Sequence, residues 1–122
     1  MRFAFLLAVA LFGCTPQLEI VKRIESRANS LEIVVANRLT GATAATPTEI
    51  YILDRGEYPI GEPVWRADKV IGLKISWLDA NTVIVEADEA REFLKNFEAV
   101  IPRNGKSEHL KVAVKYRIAR SI

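Results

Sequence analysis

The side chains able to do chemistry are few, and the densest group is acidic: Glu86, Asp88, Glu89 and Glu92. Two carboxylates held a few ångströms apart can act as acid and base, or as acid and nucleophile, on a glycosidic bond. That makes this group the candidate for a small hydrolase. Nothing in its spacing marks a cleft, and carboxylates on a solvated face account for it equally well. His109 is the sole histidine. A Ser–His–Asp triad would have to use it, and no serine stands in a nucleophile-elbow context. A metal site built on it would need carboxylates or carbonyls as its other ligands, and no acidic spacing resembles a calcium loop. His109 therefore reads as an exposed loop residue beside Glu108 and Lys111. Gly41, Gly56, Gly61, Gly72 and Gly105 are isolated turn glycines that form no phosphate-binding loop. The expectation is no catalytic residue, no metal ligand, no cofactor and no enzymatic activity.

Contact chemistry is better represented. Tyr58 and Trp65 border the Gly/Pro-rich stretch Asp54–Pro63, and Arg66 follows directly. Aromatic and arginine side chains are the usual anchors of protein interfaces. Tyr58, Trp65 and Arg66 are accordingly the partner-binding candidates, while Trp77 continues an apolar strand face and reads as core. The run from Thr40 to Pro47 is small and threonine-rich; a tight crossover between strands is favoured there over a docking surface.

Charge excludes one class of partner. The formal net charge is +2, and one unit less if Arg2 is removed, so no nucleic-acid partner is expected. The charge is uneven, however. Acids dominate from Asp79 to Glu98 and bases from Arg103 to Ile122. Two solvated faces that attract one another explain this more simply than a basic face for anionic headgroups.

The elements that must position these residues repeat with period two, the mark of half-buried strands. Leu110, Val112, Val114, Tyr116 and Ile118 alternate with small or basic residues, giving a long strand near the C-terminus. Leu73, Ile75 and Trp77 form an apolar face. Asp79-Ala80-Asn81 supplies turn chemistry, and Val83 and Val85 resume the face, so Leu73–Val85 reads as a hairpin. Leu18–Ile24 and Leu31–Arg38 suggest another hairpin around Ser26–Ser30. Glu49–Leu53 is a strand that starts after Pro47, and Val64–Ile71 is a further candidate. Residues 88–97 fit either a helix behind Asp88 or an extended segment; the extended form is preferred. Pro102–Lys106 reads as a loop. The expected fold is mainly β, a small antiparallel β-sandwich or open barrel of about seven strands with little helix.

The N-terminus is distinct. Arg2 precedes the apolar stretch Phe3–Phe12, which as a helix covers roughly 15 Å, about half of a ~30 Å hydrocarbon core. It is too short to span and suits the apolar region of a secretory signal. Leu11-Phe12-Gly13-Cys14 resembles the bacterial lipobox, in which a leucine stands three residues before the cysteine and a small residue immediately before it; Phe12 is bulkier than the residue usual at its place. The resemblance implies a diacylglycerol on Cys14, cleavage after Gly13 and a membrane partner through that anchor. Residues 1–13 are then a removed signal peptide, and residues 14–122 a single β-rich domain. Thr15 is not the aspartate that retains lipoproteins at an inner membrane, so in a two-membrane host the expected location is the outer membrane, facing the periplasm. Cys14 is the sole cysteine, and stability must come from packing rather than disulfides.

Several segments together resemble a family of small exported bacterial proteins of unknown function. They are the serine-containing turn at Glu25-Ser26, the strand to Arg38, Gly41-Ala42-Thr43, the strand Thr48–Leu53, the hairpin Leu73–Val85 and Ala90-Arg91 with Phe93. Thr40 and Ala44 depart from that pattern. The resemblance implies export and a β architecture, and no mechanism. The leading expectation is a lipid-anchored, noncatalytic envelope protein that binds an envelope protein or glycan. An inhibitor or immunity protein acting against a lysozyme, phage or toxin comes second, and a small envelope hydrolase third.

Overall fold

The computed structural model describes residues 18–39, 46–103 and 108–122. They form nine strands in chain order: β1 (Leu18–Glu25), β2 (Leu31–Arg38), β3 (Thr48–Asp54), β4 (Trp65–Ile71), β5 (Lys74–Asp79), β6 (Thr82–Ala87), β7 (Glu89–Lys95), β8 (Glu98–Arg103) and β9 (Glu108–Ile118). One sheet has five strands in the order β1-β2-β3-β4-β7, the other four in the order β5-β6-β9-β8. The fold is a β-sandwich. The alternation read in β9 and in the Leu73–Val85 hairpin delivers the core directly. Leu31, Ile33, Ile50, Trp65, Val83, Val85, Val112 and Val114 meet between the sheets. Trp77 packs against the same core and donates its indole N–H to Ile24 O at 3.0 Å, which ties the two hairpins together.

The turns follow from local chemistry. Asp79 Oδ1 accepts the backbone N–H of Asn81 at 2.8 Å, the Asx-type bond foreseen there. In the first hairpin Ser26 Oγ accepts Ala28 N–H at 3.1 Å and Asn29 Oδ1 accepts Leu31 N–H at 3.0 Å. Gly72 ends β4 at φ +70°, and a Cβ there would collide with the Asp88 carboxylate.

Four expectations need correction. There are nine strands among the described residues where about seven were expected, because residues 88–103 hold two strands, β7 and β8. Pro102 lies inside β8 rather than opening a loop, and His109 lies in β9, exposed, rather than in a loop. The sheets are also not wholly antiparallel: β6 and β9 pair in parallel, Thr82 with Ala113 through Ala87 with Ile118.

The proline has a clear physical reason. Val114 N–H bonds Phe97 O at 2.9 Å, in the register that pairs Glu98 with Ala113. Alternate residues then turn their peptide groups to opposite sides: Ala99, Ile101 and Arg103 face β9, and Glu98, Val100 and Pro102 face away from it. The missing N–H of Pro102 falls on the outer flank of an edge strand, where no ladder bond is lost.

Candidate functional site

Successive strand residues point to opposite faces. In β3, Ile50 and Ile52 therefore enter the core while Glu49 and Tyr51 occupy the outer face, yet Glu49 is 0% exposed. Arg38 explains this, with Nε and Nη2 at 2.8 and 3.1 Å from the carboxylate; Arg66 Nε stands at 2.6 Å, and the Tyr51 hydroxyl donates at 2.7 Å. Burial alone would raise the Glu49 pKa, but the hydrogen bonds from Arg38, Tyr51 and Arg66 outweigh it and hold the carboxyl below its ordinary range. Burial, and then Glu49, push Tyr51 up to about 12. Asp68 and Arg91, opposite one another in β4 and β7, form a second pair at 2.7 Å. The Arg91 hydrogen bond holds the Asp68 carboxyl down. Glu49 is a saturated acceptor and Asp68 is held by both arms of one guanidinium, arrangements suited to fixing a sheet face.

A third buried acid positions something open. Glu32 is paired with Arg23 and accepts Gly56 N–H at 2.8 Å, while Arg23 Nη1 also reaches Glu57 O at 3.2 Å. Arg55 Nη2 donates to Ser26 O and Asn29 O at 3.0 and 2.9 Å. Together they pin the start of the 55–64 loop to the first hairpin. Pro63 and Val64 are buried at its end, and Val64 O lies 3.1 Å from the Tyr116 hydroxyl. Between these fixed ends Tyr58 and Ile60 stand 43% and 80% exposed.

Beneath the loop lies a groove of about 380 Å³ between the two sheets. The β3–β4 ladder stops at Ile50 with Trp65, so Tyr51–Asp54, paired with β2 on one side, form one wall with no strand on the other. Glu98–Pro102 of β8 form the other wall. Ile52, Val64 and Ile101 supply an apolar lining; Asp54, Glu57, Glu62 and Glu98 supply charge. Asp54 is paired with Arg103 at 2.8 Å, and the other three carboxylates have no ion-pair partner among the described residues. A second depression of about 480 Å³ lies between the turns at Ile24–Ala28 and Trp77–Ala80. Its polar groups already join the hairpins: Trp77 donates to Ile24 O, and Asn29 Nδ2 donates to Ala80 O at 3.0 Å.

The sequence candidates are not brought together. Trp65 is fully enclosed and donates Nε1–H to Glu92 Oε2 at 2.7 Å, so its expected exposure is corrected. Arg66, the next residue, lies on the opposite face with Glu49. Tyr58 alone of the three stands out on the loop. Among the clustered acids, Glu92 is taken up by Trp65 and Lys95, and Glu86 faces Arg117 at 3.8 Å. Glu86 and Asp88 share a shallow depression with Lys74 and Arg117, so cations accompany the carboxylates there. Cys14, the Thr40–Ala45 part of the small-residue run, Gly105 and Lys106 lie outside the described residues. Among those described, no three His, Cys, Asp or Glu side chains gather to hold a metal.

Sequence reasoning did not single out Glu32, Glu49, Glu57, Glu62 or Ile60. A signal existed for the first two: an acid inside an otherwise apolar strand asks for a basic residue on a neighbouring strand, and Arg38 and Arg23 were available. The groove acids carry no such signal, since only the pairing of β3 with β4 and the edge position of β8 bring them together. Comparison with known proteins finds no matching family model, no similar curated protein and no matching solved structure.

Proposed function

We propose that the chain is a noncatalytic binding module of the bacterial cell envelope, tethered to a membrane through lipidated Cys14, and that the groove under the 55–64 loop receives its partner. The observation that carries this reading is the groove itself. It has an apolar lining, an acidic rim and an exposed Ile60 at its mouth, while the buried acids elsewhere are consumed in ion pairs. Apolar side chains left in water beside a concave surface are what a partner would cover.

The tether supports the same orientation. Four peptide steps separate Cys14 from Leu18, a reach of at most about 14 Å. The start of β1 therefore stays close to the lipid. Leu18 pairs with Arg38, at the end of the five-stranded sheet where β3 begins, whereas Asp54 closes β3 at the other end. A groove walled by Tyr51–Asp54 then faces away from the membrane, open to an envelope protein or glycan. The lipobox resemblance at Leu11–Cys14 and the likeness to small exported β proteins support the envelope location.

The test is photo-cross-linking in native membranes, with the reactive group placed at Ile60 in one version of the full-length chain and at Val21, exposed on β1, in another. The expected result is a discrete adduct from Ile60, absent from Val21 and lost when Cys14→Ser releases the chain from the membrane. Equal labelling from both positions would sink the groove as the binding site. A hydrolase as the captured species would turn the reading into that of an inhibitor.

A further inference from the structure

The groove has a second property beyond its shape: one wall is a strand edge. β8 ends the four-stranded sheet, and its ladder with β9 leaves Glu98 and Val100 presenting both N–H and C=O outward, with Pro102 adding a carbonyl. Such an edge is a template for another extended chain. Natural sandwiches blunt edges with charge, proline or cover, and Pro102 does so at one end. Glu98 and Val100 remain open, Val100 being 49% exposed.

Across the groove, Asp54, Glu57 and Glu62 face the same space as Glu98; of the guanidinium groups beside it, Arg103 is engaged by Asp54, and Arg23, which reaches Glu57 O, is engaged by Glu32. A cation there would meet three carboxylates free of ion pairs among the described residues. The lining beneath, from Ile52, Val64 and Ile101, is apolar. An extended segment alternates its side chains between two faces, so a peptide alternating basic and apolar residues matches both surfaces at once.

We propose that the groove binds an extended basic peptide segment of a partner protein, added as a short antiparallel strand on the outer edge of β8, with its lysine or arginine side chains directed to Glu57, Glu62 and Glu98. This rests on the groove being the binding site and names the class of ligand. Main-chain bonds to Glu98 and Val100 supply a register, and the acidic rim selects charge and hastens encounter. The contact is short, so the affinity belongs in the micromolar range and weakens steeply with salt.

Fluorescence anisotropy of a labelled eight-residue peptide alternating lysine and valine, titrated with the full-length chain in detergent, tests this without reference to anchorage. The glutamate–valine counterpart is the control. Saturable binding of the lysine peptide alone is expected, with about a tenfold loss at threefold higher salt. Val100→Pro removes an outward N–H at a position that tolerates proline as Pro102 does, and should weaken binding at least tenfold while circular dichroism stays unchanged. Glu62→Gln with Glu98→Gln should weaken it similarly and flatten the salt dependence, which keeps the test decisive if the proline variant fails to fold. Equal binding of both peptides, or unaltered binding by a folded Val100→Pro, overturns the proposal. Loss with the glutamine variants but not with Val100→Pro also overturns it, as contact by charge alone. A concentration-dependent dimer abolished by Val100→Pro overturns it in favour of a second copy at the edge. Failure here with the Ile60 adduct retained rejects strand addition and leaves the groove as the binding site.

Discussion

Glu49 shows how a single buried charge is made tolerable. It is surrounded by two guanidinium groups and a phenol, and each acceptor lone pair it offers is used by a donor within about 3 Å. Breaking a fully enclosed ion pair costs ~3–5 kcal/mol; the Arg38 and Arg66 side chains are about one-third exposed, so Glu49→Gln should cost about 2–3 kcal/mol by urea unfolding at neutral pH. The depressed pKa also fixes a pH signature. Its stabilising contribution is full above the unfolded carboxyl value near 4.5 and disappears as pH falls through the lower folded value. Wild type should thus lose stability on acidification through that window more steeply than Glu49→Gln. Trp65 is the other residue whose removal should be severe: Trp65→Ala opens a cavity and takes the indole donor from Glu92, which keeps Lys95, costing ~3–5 kcal/mol in the same assay. The sequence placed Trp65 and Arg66 together at a surface because both border a loop. Their separation follows from strand geometry, which sends neighbours to opposite faces once the strand is known to begin at Trp65.

At the scale of elements, period-two alternation made most strands legible, β9 and the β5–β6 hairpin above all. The second strand hidden in residues 88–103 was not. Residues 88–97 fitted a helix or a strand and Pro102–Lys106 read as loop, and only the outward orientation of Pro102 on an edge strand explains why β8 continues through it. Irregular positions were equally silent. Lys69 sits at φ 53° within β4, where the register with β7 shifts between Asp68 and Ile71. A non-glycine residue in that region carries a penalty of ~1–2 kcal/mol. Lys69→Gly should therefore raise the unfolding midpoint, with a gain in unfolding free energy of up to about 1 kcal/mol after the extra backbone freedom of glycine in the unfolded chain is counted. A lower midpoint would mean that the Lys69 side chain, not the backbone, decides that corner. The parallel pairing of β6 with β9 was beyond sequence reach for a related reason: strands far apart in the chain announce their faces, not their neighbours.

The whole molecule divides its surfaces by use. The outer face of the five-stranded sheet is closed by arginine–carboxylate pairs, one of which also holds the 55–64 loop by its first residues. The flank between β3 and β8 is left open, apolar within and acidic at the rim. A β-sandwich was readable from alternation and turn residues. The groove was not, because it arises from a ladder that stops at Ile50 and an edge strand that no local pattern reveals. What gives the groove a direction in the proposed reading is the short reach from Cys14 to β1. The measurement that tests this most directly is mass spectrometry of the N-terminal peptide of the protein purified from native membranes. The account predicts a peptide that begins at Cys14 and carries a diacylglycerol on its thiol. A peptide that begins elsewhere, or bears an unmodified Cys14, would contradict the tether and with it the outward placement of the groove.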